Sequence, residues 1–267
     1  MTASSTASAQ EAWVRQSPLP YQPLDAESVT FASPTHGYIA GSDIVMDLAT
    51  SSDDFLMETH DGGLTWTQLD FPGSQQNFRD VFFVDELHGW VVGNSTVAVN
   101  DNFRTVDGGL SWQQIQLPAG TWTTVHFLDP NFGWAKSLGG PPALSTDGGL
   151  TWTFPIVVVD GNAQLLATVR FANLQLGIAM TGSGIFRTTD GGVNWTQVLS
   201  GDFYTPKFLS ESVLLVPVFP TGMLQSTDGG LSWNPVTTPG SGYFSVEAFS
   251  ADIAIAMKTN GEVIRTT

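Results

Sequence analysis

Short apolar runs with a two-residue period recur along this chain, and they recur in a fixed order. A run of the form Val-x-Phe comes first (Val29-Thr30-Phe31, Val81-Phe82-Phe83, Val125-His126-Phe127, Val169-Arg170-Phe171). A second run follows, opened by Gly and a large side chain (Gly37-Tyr38, Gly89-Trp90, Gly133-Trp134, Gly177-Ile178). Alternation over so few residues is the signature of β-strands. A third run leads into an eight-residue box, first met as Thr59-His60-Asp61-Gly62-Gly63-Leu64-Thr65-Trp66, and a fourth begins near the box Trp. The box returns at Asp107–Trp112, Asp147–Trp152, Asp190–Trp195 and Asp228–Trp233. Each copy predicts a tight hairpin. The Asp carboxylate accepts N–H bonds within its own turn, the glycines supply positive φ, and the Trp gives the hairpin an apolar anchor.

Successive box Trp residues stand 46, 40, 43 and 38 positions apart. A period of this size predicts propeller blades of about four strands each. Phe244–Phe249, Asp252–Lys258 and Glu262–Thr267 supply three strands of a further unit, while Trp13-Val14-Arg15-Gln16-Ser17-Pro18-Leu19-Pro20 supplies a box-type Trp and an outer strand with no box. The expectation is an all-β fold, a six-bladed β-propeller of four-stranded antiparallel blades with the last blade closed by the N-terminal strand. Residues 1–10 read as a disordered polar leader and 11–267 as a single propeller domain. The first unit is longer than the period, and its excess falls in Ser42–Asp54, taken as a loop.

Charge narrows the partners. A net charge of −16 with nine Lys plus Arg leaves no basic footprint, which excludes nucleic acid and disfavours anionic membrane surfaces. No apolar stretch reaches the roughly 18 residues of a transmembrane segment. The chain has no Cys, so disulfides and thiolate metal sites are excluded while the redox compartment stays open. The leader Met1–Gln10 lacks the apolar centre of a signal peptide. Low charge density with abundant Ser, Thr and Gly fits an extracytoplasmic protein, whether secreted, periplasmic or lumenal, whose precursor signal is not in this chain.

The box resembles the Asp-box, or bacterial neuraminidase repeat, of sialidases, sortilin-type receptors and several glycosidases. The longer pattern Phe83-Val84-Asp85-Glu86-Leu87-His88-Gly89-Trp90-Val91-Val92-Gly93, followed by Arg104-Thr105-Val106-Asp107-Gly108-Gly109-Leu110-Ser111-Trp112, is similar to the photosystem II assembly and stability factor family. That resemblance runs from Trp13 to Thr267 and implies an extracytoplasmic or lumenal propeller. Plant and cyanobacterial members of the family have seven blades and an arginine patch that engages the reaction-centre precursor. Here six blades and six arginines are counted, of which Arg79, Arg170 and Arg104 are candidates for such a patch.

No catalytic constellation stands out. The sialidase Arg-Ile-Pro motif is missing, as are His-x-x-x-His, Gly-x-Ser-x-Gly and phosphate-loop patterns, so no enzyme activity, cofactor or metal is expected. The box pairs Asp61 and Trp66, Asp107 and Trp112, Asp147 and Trp152, Asp190 and Trp195, and Asp228 and Trp233 read as structural. Each box offers one carboxylate, where a calcium loop needs several. Subtracting the repeat leaves the middle of the Val-x-Phe run, where the series is Thr30, Phe82, His126, Arg170, Lys207, Ala248. His126, Arg170 and Lys207 on consecutive blades form a candidate cationic arc for a carboxylate, a phosphate or an acidic peptide end. The plainer reading pairs these cations with carboxylates, Glu247 and Asp80 being at hand, with Arg79 a further candidate. The expected function is non-enzymatic: an assembly-factor-like propeller that engages a protein or peptide through its channel face. The alternative is a carbohydrate-active Asp-box protein, whether glycosidase, sialidase-like or lectin. The oligomeric state is left open.

Overall fold

The computed structural model describes residues 24–43, 54–69, 78–95, 101–218, 222–248 and 254–265. Among them the regular elements are all strands, and no helix is long and apolar enough to cross a membrane. The first unit is β1 (Leu24–Phe31), β2 (Gly37–Asp43), β3 (Asp54–Thr59) and β4 (Thr67–Gln68), hydrogen-bonded in that order. The second is β5 (Phe78–Phe83), β6 (Gly89–Ser95), β7 (Phe103–Thr105) and β8 (Gln113–Gln114). The third has β9 (Gly120–Phe127), β10 (Gly133–Ser137) and β11 (Ala143–Ser145), with a single bridge from Leu144 to Thr153 in place of a fourth strand. Next comes the hairpin β12 (Ile156–Val159) and β13 (Asn162–Leu165). The fourth unit is β14 (Thr168–Phe171), β15 (Gly177–Thr181), β16 (Gly184–Thr188) and β17 (Thr196–Ser200). The fifth is β18 (Lys207–Phe208), β19 (Leu214–Pro217), β20 (Met223–Ser226) and β21 (Asn234–Pro235). The last described unit is β22 (Tyr243–Ala248), β23 (Ala254–Lys258) and β24 (Val263–Arg265). Neighbouring strands within each unit are antiparallel, as expected. The leader and the Trp13 strand lie outside the described residues.

Alternation along the strands buries both faces of a sheet, each against a different neighbour. In β6, Trp90 and Val92 enter a core with Trp122, Val125 and Phe127 of the third unit, while Val91 enters one with Tyr38 and Leu56 of the first. In β15, Ala179 faces the third unit and Ile178 the fifth. In β19, Leu214 and Val216 face the fourth unit and Leu215 the last. Successive sheets are therefore stacked face to face with an apolar core between each pair. The second and third units are also joined edge to edge, Asn94 and Ser95 of β6 pairing with Thr121 and Gly120 of β9.

The Val-x-Phe and Gly-aromatic runs are two halves of one contact. The rings of Phe83 and Phe127 lie over the glycines that open the next strand, so closely that a Cβ on Gly89 would meet the Phe83 ring at 2.4 Å and one on Gly133 the Phe127 ring at 2.4 Å. The turn between these strands is closed by a short polar side chain: Asp85 accepts from the N–H groups of Leu87 and His88, Asp129 from Asn131 and Phe132, and Asn173 from Gln175 and Leu176.

The boxes are hairpin turns of the expected kind. In the first, Asp61 Oδ1 accepts from Thr59 Oγ1 and the Thr65 N–H, and Oδ2 accepts from Thr65 Oγ1. Thr59 Oγ1 in turn accepts from the Gly63 N–H at 2.9 Å. The other four boxes repeat this, with Ser or Thr two residues before the Asp. These bonds favour the charged carboxylate and hold Asp61, Asp190 and Asp228 at a pKa of about 2. Gly62 and Gly63 take φ values of 75° and 89°, which a side chain would resist. In the first four boxes the Trp turns its ring edge toward the Val-x-Phe ring of its own unit: Trp66 to Phe31, Trp112 to Phe83, Trp152 to Phe127, Trp195 to Phe171.

Two features depart from the sequence reading. Ser42, Asp43 and Asp54, taken as loop, are strand residues, with Ser42 paired to Asp54. Residues 44–53, with Asp47 and Asp53, lie outside the described residues. The hairpin β12–β13 was not anticipated. It turns on Asp160-Gly161, both with positive φ (49° and 78°), the two-residue turn whose twist matches antiparallel strands.

Val29 and Phe31 are 61% and 45% exposed, whereas their equivalents Val81 and Phe83 are 2% and 6% exposed. The outer face of the first sheet is therefore uncovered among the described residues. The outer face of the last sheet likewise presents Met257 and Val263, 43% and 55% exposed.

The Phe-over-Gly contact leads to a direct expectation. Gly89→Ala forces the Phe83 ring out of its place and should cost about 1–3 kcal/mol, the usual range for overpacking. Urea denaturation checks this; an unchanged midpoint would show that the ring moves aside freely.

Candidate binding site

The middle residues of the first strands are set by strand parity. Val125, Val169 and Val246 are buried against the preceding sheet, so His126, Arg170 and Glu247 point the other way. The cross-strand partners agree: His126 opposes Trp134, Arg170 opposes Ile178, Lys207 opposes Leu215 and Glu247 opposes Ile255. This corrects the alignment of the last unit. Val246 holds the Val position, and the middle place belongs to Glu247 rather than Ala248. The first strands themselves lie side by side, β1 with β5, β5 with β9 and β18 with β22.

Four of the candidates are thereby drawn together. Lys207 Nζ is 2.6 Å from Glu247 Oε2, in a half-exposed pair of modest energetic weight. Arg170 donates from Nη1 to the carbonyl of Val169 at 2.9 Å. Burial lowers the Arg170 pKa and Glu247 opposes that shift, so the guanidinium stays a cation. Arg170, Lys207 and Glu247 line a cavity of about 300 Å³ together with Pro206, Phe244 and Ser245. The ring of His126 is tilted against Phe82 and Trp134, with centroids 4.6 and 4.7 Å away. Its pKa is lowered first by the protein mass around it and then by Arg170 and Lys207. At neutral pH the positive charge of the arc is thus carried by Arg170 and Lys207, with one carboxylate among them.

The remaining candidates lie apart from this cluster. Asp80 accepts from Ser28 Oγ at 2.6 Å and from the Val125 N–H at 2.8 Å, which ties the first strands of three successive units together. Burial raises its pKa against those hydrogen bonds. Arg79 donates to Glu27 Oε1 at 2.5 Å. Arg104 reaches the next box, donating to the carbonyl of Gly148 at 3.3 Å. The three arginines singled out as a patch therefore do three different things. A larger cavity of about 530 Å³ between the fifth and last sheets is lined chiefly by apolar side chains such as Leu215, Met223 and Ile264.

The comparisons with known proteins bear on the fold and the family. Residues 6–120 match the family described as photosynthesis system II assembly factor YCF48. The longer pattern from Phe83 to Trp112, which resembles the photosystem II assembly factor family, lies within this match. No curated protein matches the chain. Similar solved structures include YCF48 bound to a D1 peptide, at 20% identity over 92% of this chain and 94% of that one, with a TM-score of 0.39. YCF48 from Cyanidioschyzon merolae is 17% identical over 94% of this chain and 98% of that one, with a TM-score of 0.47. A GH74 xyloglucanase from Xanthomonas campestris is 17% identical over 90% of this chain, with a TM-score of 0.54, and this chain spans 36% of its length. The last likeness is one of fold, and it makes the all-β stack propeller-like.

The electrostatics of the arc give a titration test. In an NMR pH series His126 should titrate below 6.5, and Arg170→Ala should move it back toward that value. A wild-type pKa at or above 6.5 would show that neither the surrounding protein nor the two cations acts on the ring as the geometry requires.

Proposed function

We propose that this protein is a non-enzymatic, extracytoplasmic six-bladed propeller that binds the acidic or C-terminal part of a protein or peptide at Arg170, Lys207 and Glu247, with His126 beside them. The observation that carries this reading is the cavity of about 300 Å³ where Arg170 and Lys207 meet on an otherwise acidic chain. Two fixed cations with a single carboxylate leave a local positive balance, and a guanidinium is suited to a carboxylate ligand. An assembly factor works by holding another protein, and the family matched by residues 6–120 supports a ligand of that class. Low charge density supports placement outside the cytoplasm. Asp80 and Arg79 act here as positioning groups for the first strands.

The proposed binding test uses peptides with free and amidated C-termini, measured by fluorescence anisotropy. The pair Arg170→Glu and Lys207→Glu should weaken the free-carboxylate peptide at least about tenfold, in keeping with loss of a charged contact. Equal affinity in the wild type and the double variant would overturn the reading. Fluorogenic glycosides should be left intact; turnover abolished by Arg170→Ala would replace it with a carbohydrate-active one.

The six-blade count and its closure by residues 11–20 are part of the same proposal. Val29 and Phe31 on the first sheet, with Met257 and Val263 on the last, are apolar faces of the kind covered at every other sheet boundary. Deleting residues 11–20 should lower the melting temperature by several degrees, whereas deleting 2–10 should leave it unchanged. If both truncations melt like the full chain, the N-terminal strand does not close the ring.

A further inference from the structure

Three side chains from three separate elements of the first unit converge at its turns. His36 stands in the β1–β2 turn, Glu58 on β3 and His60 in the first box, and their ligand-capable atoms all lie within 4.8 Å of one another. His36 Nε2 is 3.6 Å from Glu58 Oε1, and His60 Nε2 contacts the same carboxylate oxygen. The two imidazole rings are stacked with centroids 4.4 Å apart. His36 Nε2 is buried and makes no hydrogen bond. The buried His36 Nε2 has this carboxylate as its nearest polar partner, so a cation shared between the two would satisfy both groups.

The repeat supplies the contrast. At the place of Glu58 the second and fourth units carry Arg104 and Arg187, which bond the carbonyls of the following box. At the place of His60 the other boxes have Val106, Thr146, Thr189 and Thr227. At the place of His36 the third and fourth units have Phe132 and Leu176, and the second has His88, whose Nδ1 is 2.9 Å from Asp85. Hairpin geometry therefore requires none of these three residues. Only in the first unit do all three changes coincide, and they coincide in space.

We propose that His36, Glu58 and His60 form a binding site for one divalent transition-metal cation of the zinc class, with a fourth coordination position open to solvent. Two imidazoles and one carboxylate are a donor set for such an ion. Ligands about 2.0–2.1 Å from a tetrahedral ion stand roughly 3.4 Å apart, close to the 3.6 Å between His36 and Glu58. Glu86, from the turn of the next unit, adds negative charge that acts on His36 and favours a cation. The exposed His60 gives an entry path, since its side chain can swing without disturbing the core. The ion would cross-link the turn, the third strand and the box of the first unit. This site shares no residue with the peptide-binding arc.

Tag-free protein is titrated calorimetrically with zinc chloride and, separately, with cobalt(II) chloride followed by visible absorption. One equivalent should bind, with the intense d–d absorption of tetrahedral cobalt. His60→Ala and Glu58→Gln, the first at an exposed position, should each weaken binding more than about tenfold, and His88→Ala should match the wild type. Zinc in excess should raise the melting temperature of the wild type and not of His60→Ala. Lack of saturable binding, or wild-type affinity in both His60→Ala and Glu58→Gln, overturns the proposal.

Discussion

The first glycine of the box is bonded through its N–H and, in the second, third and fifth boxes, through its carbonyl as well, and the stack of sheets depends on it. Its N–H donates inward to the first turn of its own unit, Gly62 to Thr35, Gly108 to Leu87, Gly148 to Asn131 and Gly229 to Ser212. Its carbonyl accepts from the preceding unit: Tyr38 Oη reaches Gly108 at 2.7 Å, Trp90 Nε1 reaches Gly148 at 2.9 Å and Arg187 Nε reaches Gly229 at 2.7 Å. A glycine is needed beside this group because the neighbour comes so near: a Cβ on Gly109 would lie 2.3 Å from the Tyr38 hydroxyl. The box is therefore both a hairpin turn and a socket. The Asp and its two side-chain partners, two hydroxyls except in the fourth box where Asn194 donates in place of one, set the turn, and the turn holds the carbonyl where the adjacent sheet can use it.

The turn half of that arrangement was legible in the chain, because Asp, Gly and Ser or Thr at fixed offsets act on their own backbone. The socket half was not, since the donors Tyr38 and Trp90 lie 70 and 58 residues away from their acceptors. The same division holds for the first strands. Val-x-Phe and Gly-aromatic announced two strands, but that the Phe ring rests on the Gly emerges only from their register. The hairpin at Asp160-Gly161 carried a readable turn signal, hidden by a repeat grammar that had no place for it.

The candidate site was half legible for a similar reason. A repeat acts as a ruler, and His126, Arg170 and Lys207 stand out because their equivalents Thr30 and Phe82 are unlike them. The ruler slipped by one residue at Glu247, in a unit without a box to anchor it, and strand parity restores the register through the burial of Val246. Asp80 shows the opposite limit. Its chemistry suggested a partner for the arc, but it satisfies Ser28 and the Val125 amide, a role that depends on which strands are adjacent and so is invisible along the chain. His36, Glu58 and His60 stand on three different elements of the first unit, and only folding puts them in one place.

The two uncovered sheet faces have a bearing on assembly. Each inner sheet of the stack buries one face on the unit before it and the other on the unit after it, so the contact runs in one direction, like steps of a staircase. Val29 and Phe31 present the beginning of such a staircase, and Met257 and Val263 its end. Faces that differ in this way are heterologous, and heterologous contacts either close on themselves or propagate. Within one chain, closure is favoured by the high effective concentration of the two ends. Between chains the same contact would have no natural stopping point, so the joint proposed to close the ring is also the joint from which a filament would grow.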